Sequence, residues 1–322
     1  MFVSHGLFTV KKSNGRLIFN NLGEIHSTRN TATIWCIEQA DKQYNWSDFN
    51  EIVIYTGDTE FNSNDAGFNS TTYTYSKQNH YTNLVPCYDY HSWPETRLDD
   101  YEAYIKDIDA AGMQKYEIDK VGWVGSMSHI NRVKLIEIGN ENKELLDFTD
   151  SINLWYIYNG LGSDGKYGYV KYIPTSELVK KYSILFDIEG EGFSVRTKHL
   201  FWSHRPLLLQ DRPHKEFFYE YLKEWEHYIP VKRDLSDLVE KAQWCLNNYE
   251  AALEIAENAY QFAKKYLTRA GCYEQWNKII TNHIKNPPTN AAHEAMLQRA
   301  HAQGQLLVNN TQRINGVIRI AS

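Results

Sequence analysis

Three short stretches bring together residue types that can hold an anion or take up a proton. In the first, the apolar run Ser183–Ile188 breaks on Gly190-Glu191-Gly192 and leads into Ser194, Arg196 and Lys198. A strand that ends on glycines and opens a helix offers free N–H groups and a partial positive charge, and Arg and Lys add full charges. That chemistry suits a nucleotide diphosphate. In the second, the run Val121–Val124 reaches Gly125, followed by Ser126, Met127, Ser128 and Arg132. A tight turn with a capping serine fits the same residues. In the third, Glu51–Thr56 ends at Gly57-Asp58. In an open α/β sheet, ligands and reacting groups collect at the carboxyl ends of strands. A turn aspartate following Gly57 fits equally.

The elements that must position these residues follow from periodicity. Ser183–Ile188, Pro206–Leu209 and Tyr228–Val231 are apolar runs, each followed by polar or helix-forming sequence, which is the rhythm of consecutive βα units. Leu7–Val10 and Leu17–Phe19 read as a hairpin through Ser13-Asn14-Gly15. Asn30–Tyr44 and Asp99–Ala111 read as helices, Thr71–Ser76 and Leu84–Tyr90 as strands, and Asn131–Ile138 as the helix after the second stretch. The segments 59–72 and 139–181 are rich in loop residues, with Gly160–Gly165 a flexible run. From Asp234 onward the chain reads as helical. Leu235, Leu238, Val239, Ala242 and Leu246 mark one apolar face, and Ala252, Ile255, Ala256, Ala259, Phe262, Ala263 and Tyr266 another. Pro287-Pro288 ends a short helix, and 290–307 reads as a polar one. Asp107 and Asp109 form a DxD that resembles a metal–nucleotide motif. On a helix, positions i and i+2 project about 200° apart, so these two carboxylates do not share an ion.

The chain has 322 residues, more than one domain usually holds, so two domains are expected. A net charge of −6 argues against a protein built to coat nucleic acid. The 9 Trp and 23 Tyr serve packing, and the aromatic walls of a carbohydrate site would use them too. Cys36, Cys87, Cys245 and Cys272 show neither disulfide nor zinc-site spacing. The reading is a cytoplasmic protein with reduced thiols. No signal peptide or membrane-length apolar run is visible, and Ile320-Ala321-Ser322 is not a retention signal. The oligomeric state is not legible.

Residues 182–268 resemble glycosyltransferase family 90, the capsule-associated and Rumi-like protein O-glucosyltransferase family. The likeness rests on Tyr182–Asp187, Ser194–Leu200, Glu216–Tyr219 and, above all, the run His227-Tyr228-Ile229-Pro230-Val231-Lys232-Arg233-Asp234-Leu235. More faintly, Gly125–Ser128 with Arg132 is similar to the family's RGSRTSxxRD turn, and Glu51–Asp58 to its strand ending in RDYP. Before residue 45 and after about residue 270 no useful resemblance is visible.

The resemblance implies an α/β chain of the GT-B class, with two Rossmann-like domains facing across a cleft and helices at the C-terminus. Residues 1–115 would form the acceptor-side domain and 116–268 the nucleotide-sugar domain, with 269–322 a helical extension packing back on the body. It implies a UDP-sugar donor, with glucose or xylose transferred to a glycan acceptor and inversion of the anomeric centre. No cofactor and no essential metal are implied. Gly125, Ser126, Ser128, Arg132, Ser194, Arg196 and Lys198 would hold UDP, and Asp58 aligns with the family's base. The family's two RGSR arginines are Val124 and Met127 here, which leaves two cations fewer beside the donor. A polysaccharide, lipopolysaccharide or viral glycan fits as acceptor. A non-catalytic glycan- or nucleotide-binding relative and a nucleotide-sugar hydrolase are the alternatives.

Overall fold

The computed structural model describes residues 6–23, 27–60, 72–78, 81–127, 129–151 and 173–287, with 294–295, 297–298 and 301–302 beyond them. The sequence expectations for Ser128, the loop 61–71, Gly160–Gly165 and most of 290–307 lie outside the described residues. The chain divides into two compact units. One takes residues 1–93, 214–217 and 269–322, and the other takes 94–213 and 218–268. The first boundary thus falls at Trp93/Pro94 rather than at 115/116.

In the first unit, β1 (Leu7–Ser13) and β2 (Arg16–Gly23) form an antiparallel hairpin. The turn residues Asn14 (φ 50°) and Gly15 (φ 72°) are both left-handed, as a two-residue hairpin turn requires. Asp48 accepts from both turn N–H groups, at 2.7 and 3.0 Å. The strand β3 (Phe49–Tyr55) pairs antiparallel with β1 and parallel with β4 (Tyr73–Thr74), giving the order β2-β1-β3-β4. This sheet is mixed. A second pairing joins β5 (Lys77–Gln78) to the returning segment His214–Lys215. Helix α1 (Ser27–Tyr44) buries Ala32, Cys36, Ile37 and Ala40.

The strand expected over Leu84–Tyr90 does not form. Leu84 makes one bridge to Thr74, and Tyr88–Tyr90 coil into a 3-10 turn. Pro86 lacks the N–H that a ladder needs, and the buried rings of Tyr88 and Tyr90 go into the core instead. The closing helix Arg269–Lys285 is not short but 17 residues long. It buries Cys272, Trp276, Ile279, Ile280 and His283 on one face, and Asn277 accepts from Trp46 Nε1 at 2.9 Å.

The second unit is built on a five-stranded parallel sheet. Its strands are β6 (Ile118–Gly125), β7 (Leu146–Asp150), β8 (Tyr182–Asp187), β9 (Leu207–Gln210) and, after His214–Lys215 as β10, β11 (Ile229–Val231). The order is β11-β9-β8-β6-β7. Counted along the chain this is 2-1-3-4-5, so the winding reverses between β6 and β8. The three apolar runs read from sequence are β8, β9 and β11. Parallel strands covered on both faces are apolar throughout, which made them legible. Gly122 in β6 lets the Tyr182 ring cross from β8; a Cβ there would lie 2.0 Å from that ring.

Helices α2 (Tyr101–Gly112), α3 (Ile130–Glu141), α4 (Thr175–Lys181), α5 (Arg196–Leu200), α6 (Leu238–Asn247) and α7 (Tyr249–Tyr266) flank the sheet. Helix α2 belongs to this unit because Tyr104 hydrogen-bonds Thr175 at 2.7 Å and Asp109 meets His204 at 2.7 Å. The stretch 139–181, read as loop-rich, contains β7 and α4. β7 has only two apolar residues in five positions, and α4 has two turns, so each gave a weak periodic signal. Among the described residues no helix is long and apolar enough to cross a membrane.

Candidate active site

In the second unit the candidate residues gather where the strand order reverses, at the carboxyl ends of β6 and β8. Gly125 closes β6 where the Trp123 ring folds across it; a Cβ there would stand 2.5 Å from the ring. His129 caps α3, its Nδ1 accepting from Asn131 N at 3.3 Å, so the cap that a serine could have supplied is a histidine. From α3, Arg132 reaches back to both strand ends. Its Nη1 donates to the Ser126 carbonyl at 3.0 Å and its Nε to the Glu189 carbonyl at 2.9 Å. Asn131 also donates to the buried Glu189 carboxylate. Gly190 leaves room for this arginine; a Cβ there would lie 3.3 Å from Arg132 Nη2.

Arg196 opens α5. Its Nη1 donates to the Val124 carbonyl at 2.6 Å, and its Nη2 lies 3.5 Å from Asp187 Oδ1. The guanidiniums of Arg132 and Arg196 lie 5.7 and 6.0 Å from the Trp123 ring centroid. Arg196 Nε is buried with no hydrogen-bond partner among the described residues. Burial, and then the nearby Arg196 charge, push the Arg132 guanidinium down to about 10. Two half-buried cations side by side, one of them 3.5 Å from Asp187, favour a bound anion.

Asp187, fully buried at the end of β8, organises the floor of the cluster. It accepts from Ser194 Oγ at 3.1 Å, Thr197 Oγ1 at 2.6 Å and Arg212 Nη2 at 3.1 Å. Burial alone would raise its pKa, but Arg212, then Arg196 and the two hydroxyls, outweigh it and hold the carboxyl below its ordinary range. Ser194 therefore positions Asp187. Lys198 is fully buried and donates to the Val195 carbonyl at 3.3 Å. The helix begins at Arg196, runs only five residues and has no side-chain cap, so its dipole supplies little. The positive charge here comes from side chains.

In the first unit, Asp58 follows β3. Gly57 is required because the Tyr55 ring folds over it; a Cβ would lie 2.3 Å from that ring. Asp58 Oδ1 accepts from Arg29 Nη1 at 2.8 Å, and Ser76 Oγ donates to the Asp58 carbonyl at 3.1 Å. The Arg29 side chain is 4% exposed and that of Asp58 32%. Arg29 lies 4.7 Å from the Tyr88 ring centroid and 5.8 Å from that of Trp93. Burial would lower its pKa, yet Asp58 and then Tyr88 raise it. Burial, together with the Asp58 charge, also pushes the Tyr55 phenol up.

Sequence reasoning missed Asp187, Arg212 and Arg29. Asp187 was within sight, as the polar residue ending an apolar run. Asp109 of the DxD is held by His204, and no cluster of three or more metal-ligating side chains occurs among the described residues.

The sequence profile described as Glycosyl transferase family 90 matches residues 2–305. The chain belongs to this family. The match takes in the N-terminal hairpin and the helix Arg269–Lys285, both beyond the residues whose motifs carry the resemblance. Human Protein O-glucosyltransferase 3 is 32% identical over 151 residues, covering 46% of this chain and 29% of that protein. Protein O-glucosyltransferase 1 of Bos taurus is 39% identical over 105 residues, 33% of this chain and 27% of that protein. The chain thus spans less than a third of the length of these family 90 relatives. Among solved structures, a glycosyltransferase from Rickettsia africae ESF-5 is similar with 11% identity and a TM-score of 0.40, covering 68% of this chain and 59% of that one. TarM is similar with 15% identity and a TM-score of 0.38, over 52% of this chain and 36% of its own.

Proposed function

We propose that this family 90 chain is a GT-B glycosyltransferase that moves a sugar, glucose or xylose, from a UDP-sugar to a glycan acceptor with inversion. The observation carrying this reading is the pair Arg132 and Arg196 on Trp123 at the strand-order reversal of the second unit. Sugar transfer must stabilise a leaving pyrophosphate. Arg132 and Arg196 are the donors for it, and their charge meets the demand with no metal in the scheme; each such donor contributes about 3 kcal/mol to lowering the barrier. The acceptor hydroxyl must lose its proton as it attacks. Asp58 is the carboxylate for that step, placed by β3 and Gly57. Attack opposite the leaving UDP inverts the anomeric carbon.

A second reading, a relative that binds the nucleotide without catalysis, is favoured by Val124 and Met127 standing where the family carries arginines. A donor-consumption assay over several UDP-sugars, with and without glycan acceptor, separates the cases. Transferase activity needs the acceptor, a hydrolase consumes donor without it, and a binding protein consumes none. Asp58→Asn should keep UDP affinity and lose transfer; near-wild-type transfer in that variant removes Asp58 as the base.

A further inference from the structure

We infer that Arg29 is a positioning residue for this transfer, gripping one oxygen of Asp58 so that the other is presented to the acceptor hydroxyl. The inference rests on the reading of Asp58 as the base. Its ground is the geometry around the pair. Arg29 Nη1 holds Asp58 Oδ1 at 2.8 Å and the Thr56 carbonyl at 3.3 Å, which ties the carboxylate to the end of β3. No described residue hydrogen-bonds Asp58 Oδ2, and the side chain is one-third exposed. The faces of Tyr88 and Trp93 fix the guanidinium in place.

Solvating Asp58 does not account for this arrangement. A carboxylate this exposed is solvated without help, while at the buried guanidinium Asp58 and then Tyr88 outweigh the cost of desolvation. Arg29 Nε is also buried with no hydrogen-bond partner among the described residues. Arg29 is moreover the third residue of α1, in the first turn, where the helix dipole disfavours a cation. An unpartnered Nε and a cation in the first helical turn are accepted at one residue, and what they secure is the orientation of Asp58.

The test compares Arg29→Met, Arg29→Lys, Asp58→Asn and the Arg29→Met/Asp58→Asn double variant in the donor-consumption assay, with UDP affinity measured on each. Arg29→Met should lower kcat about 100-fold, the scale of a misplaced general base, with donor KM and UDP affinity unchanged. Arg29→Lys keeps the charge and should recover part of that loss. In the Asp58→Asn background Arg29→Met should cost nothing more, because the two act as one unit. The inference is overturned if Arg29→Met keeps turnover within about threefold of wild type while Asp58→Asn is inactive, or if the two losses multiply. If Arg29→Met does not fold, Arg29→Lys decides: a kcat loss at constant KM supports the inference and unchanged kcat overturns it. Wild-type turnover in Asp58→Asn instead sinks the reading of Asp58 itself.

Discussion

Arg212 Nη2 stands 3.1 Å from Asp187 Oδ2, with both side chains fully buried. The charge of Arg212 is therefore taken up by a protein carboxylate, and Arg196 shares that carboxylate at 3.5 Å. Arg132 differs from both. Its hydrogen bonds run to the backbone carbonyls of Ser126 and Glu189, so its charge is the least compensated of the three.

Arg132→Met should therefore weaken UDP binding about 10- to 100-fold, the scale of one or two charge-assisted hydrogen bonds. Arg196→Ala should act in the same direction. Titration calorimetry with UDP checks both, and unchanged affinity in either removes that arginine from the nucleotide site.

Asp187→Asn should destabilise the second unit by about 3–5 kcal/mol, because it leaves Arg212 buried without its counter-charge. The pH dependence follows from the direction of the shift. The folded-state pKa of Asp187 is lowered, so its contribution is present above the ordinary carboxylate pKa of about 3.9 and is lost as pH falls through the lower folded value. Urea denaturation across acid pH should show the wild type losing stability in that window and the variant losing less. Parallel curves would remove Asp187 as a source of the acid sensitivity.

Gly122→Ala puts a methyl into the Tyr182 ring and should cost about 1–3 kcal/mol as an overpacked core. Shortening the neighbour, in Gly122→Ala/Tyr182→Leu, should return part of that loss. A wild-type urea midpoint in the single variant would show that the ring moves aside freely.

Chelation with EDTA should leave sugar transfer intact, since arginines meet the charge of the leaving group in the scheme proposed. Full loss that Mn²⁺ restores would point to a metal site and reopen the question of Asp107 and Asp109.

The fold was legible where burial is symmetrical. β8, β9, β11 and the Val121–Val124 end of β6 are apolar because both faces are covered, and Asn14-Gly15 announced its turn by residue type alone. β7 and the 84–90 segment were not legible. One is short with only two apolar residues, and in the other Pro86 and two core tyrosines override the apolar run. Asp58, Arg132 and Arg196 were visible because each follows a strand that stops on or near glycine. Arg29 was not, because it meets Asp58 only through the packing of α1 on the sheet, and nothing in its own neighbourhood marks it. Arg212 follows a strand that ends without a glycine, so the same rule passed it over.

The helix Arg269–Lys285 closes a core that residues 7–55 begin, and a whole second unit is made between them. During synthesis, the apolar side of α1 must wait for Cys272, Trp276 and Ile280 to leave the ribosome. The first unit is thus the last to become whole, and its exposed interval lengthens with every pause in translating the sequence between. A nascent chain halted after Thr268 should be cleaved by protease in its first 55 residues while the parallel sheet resists.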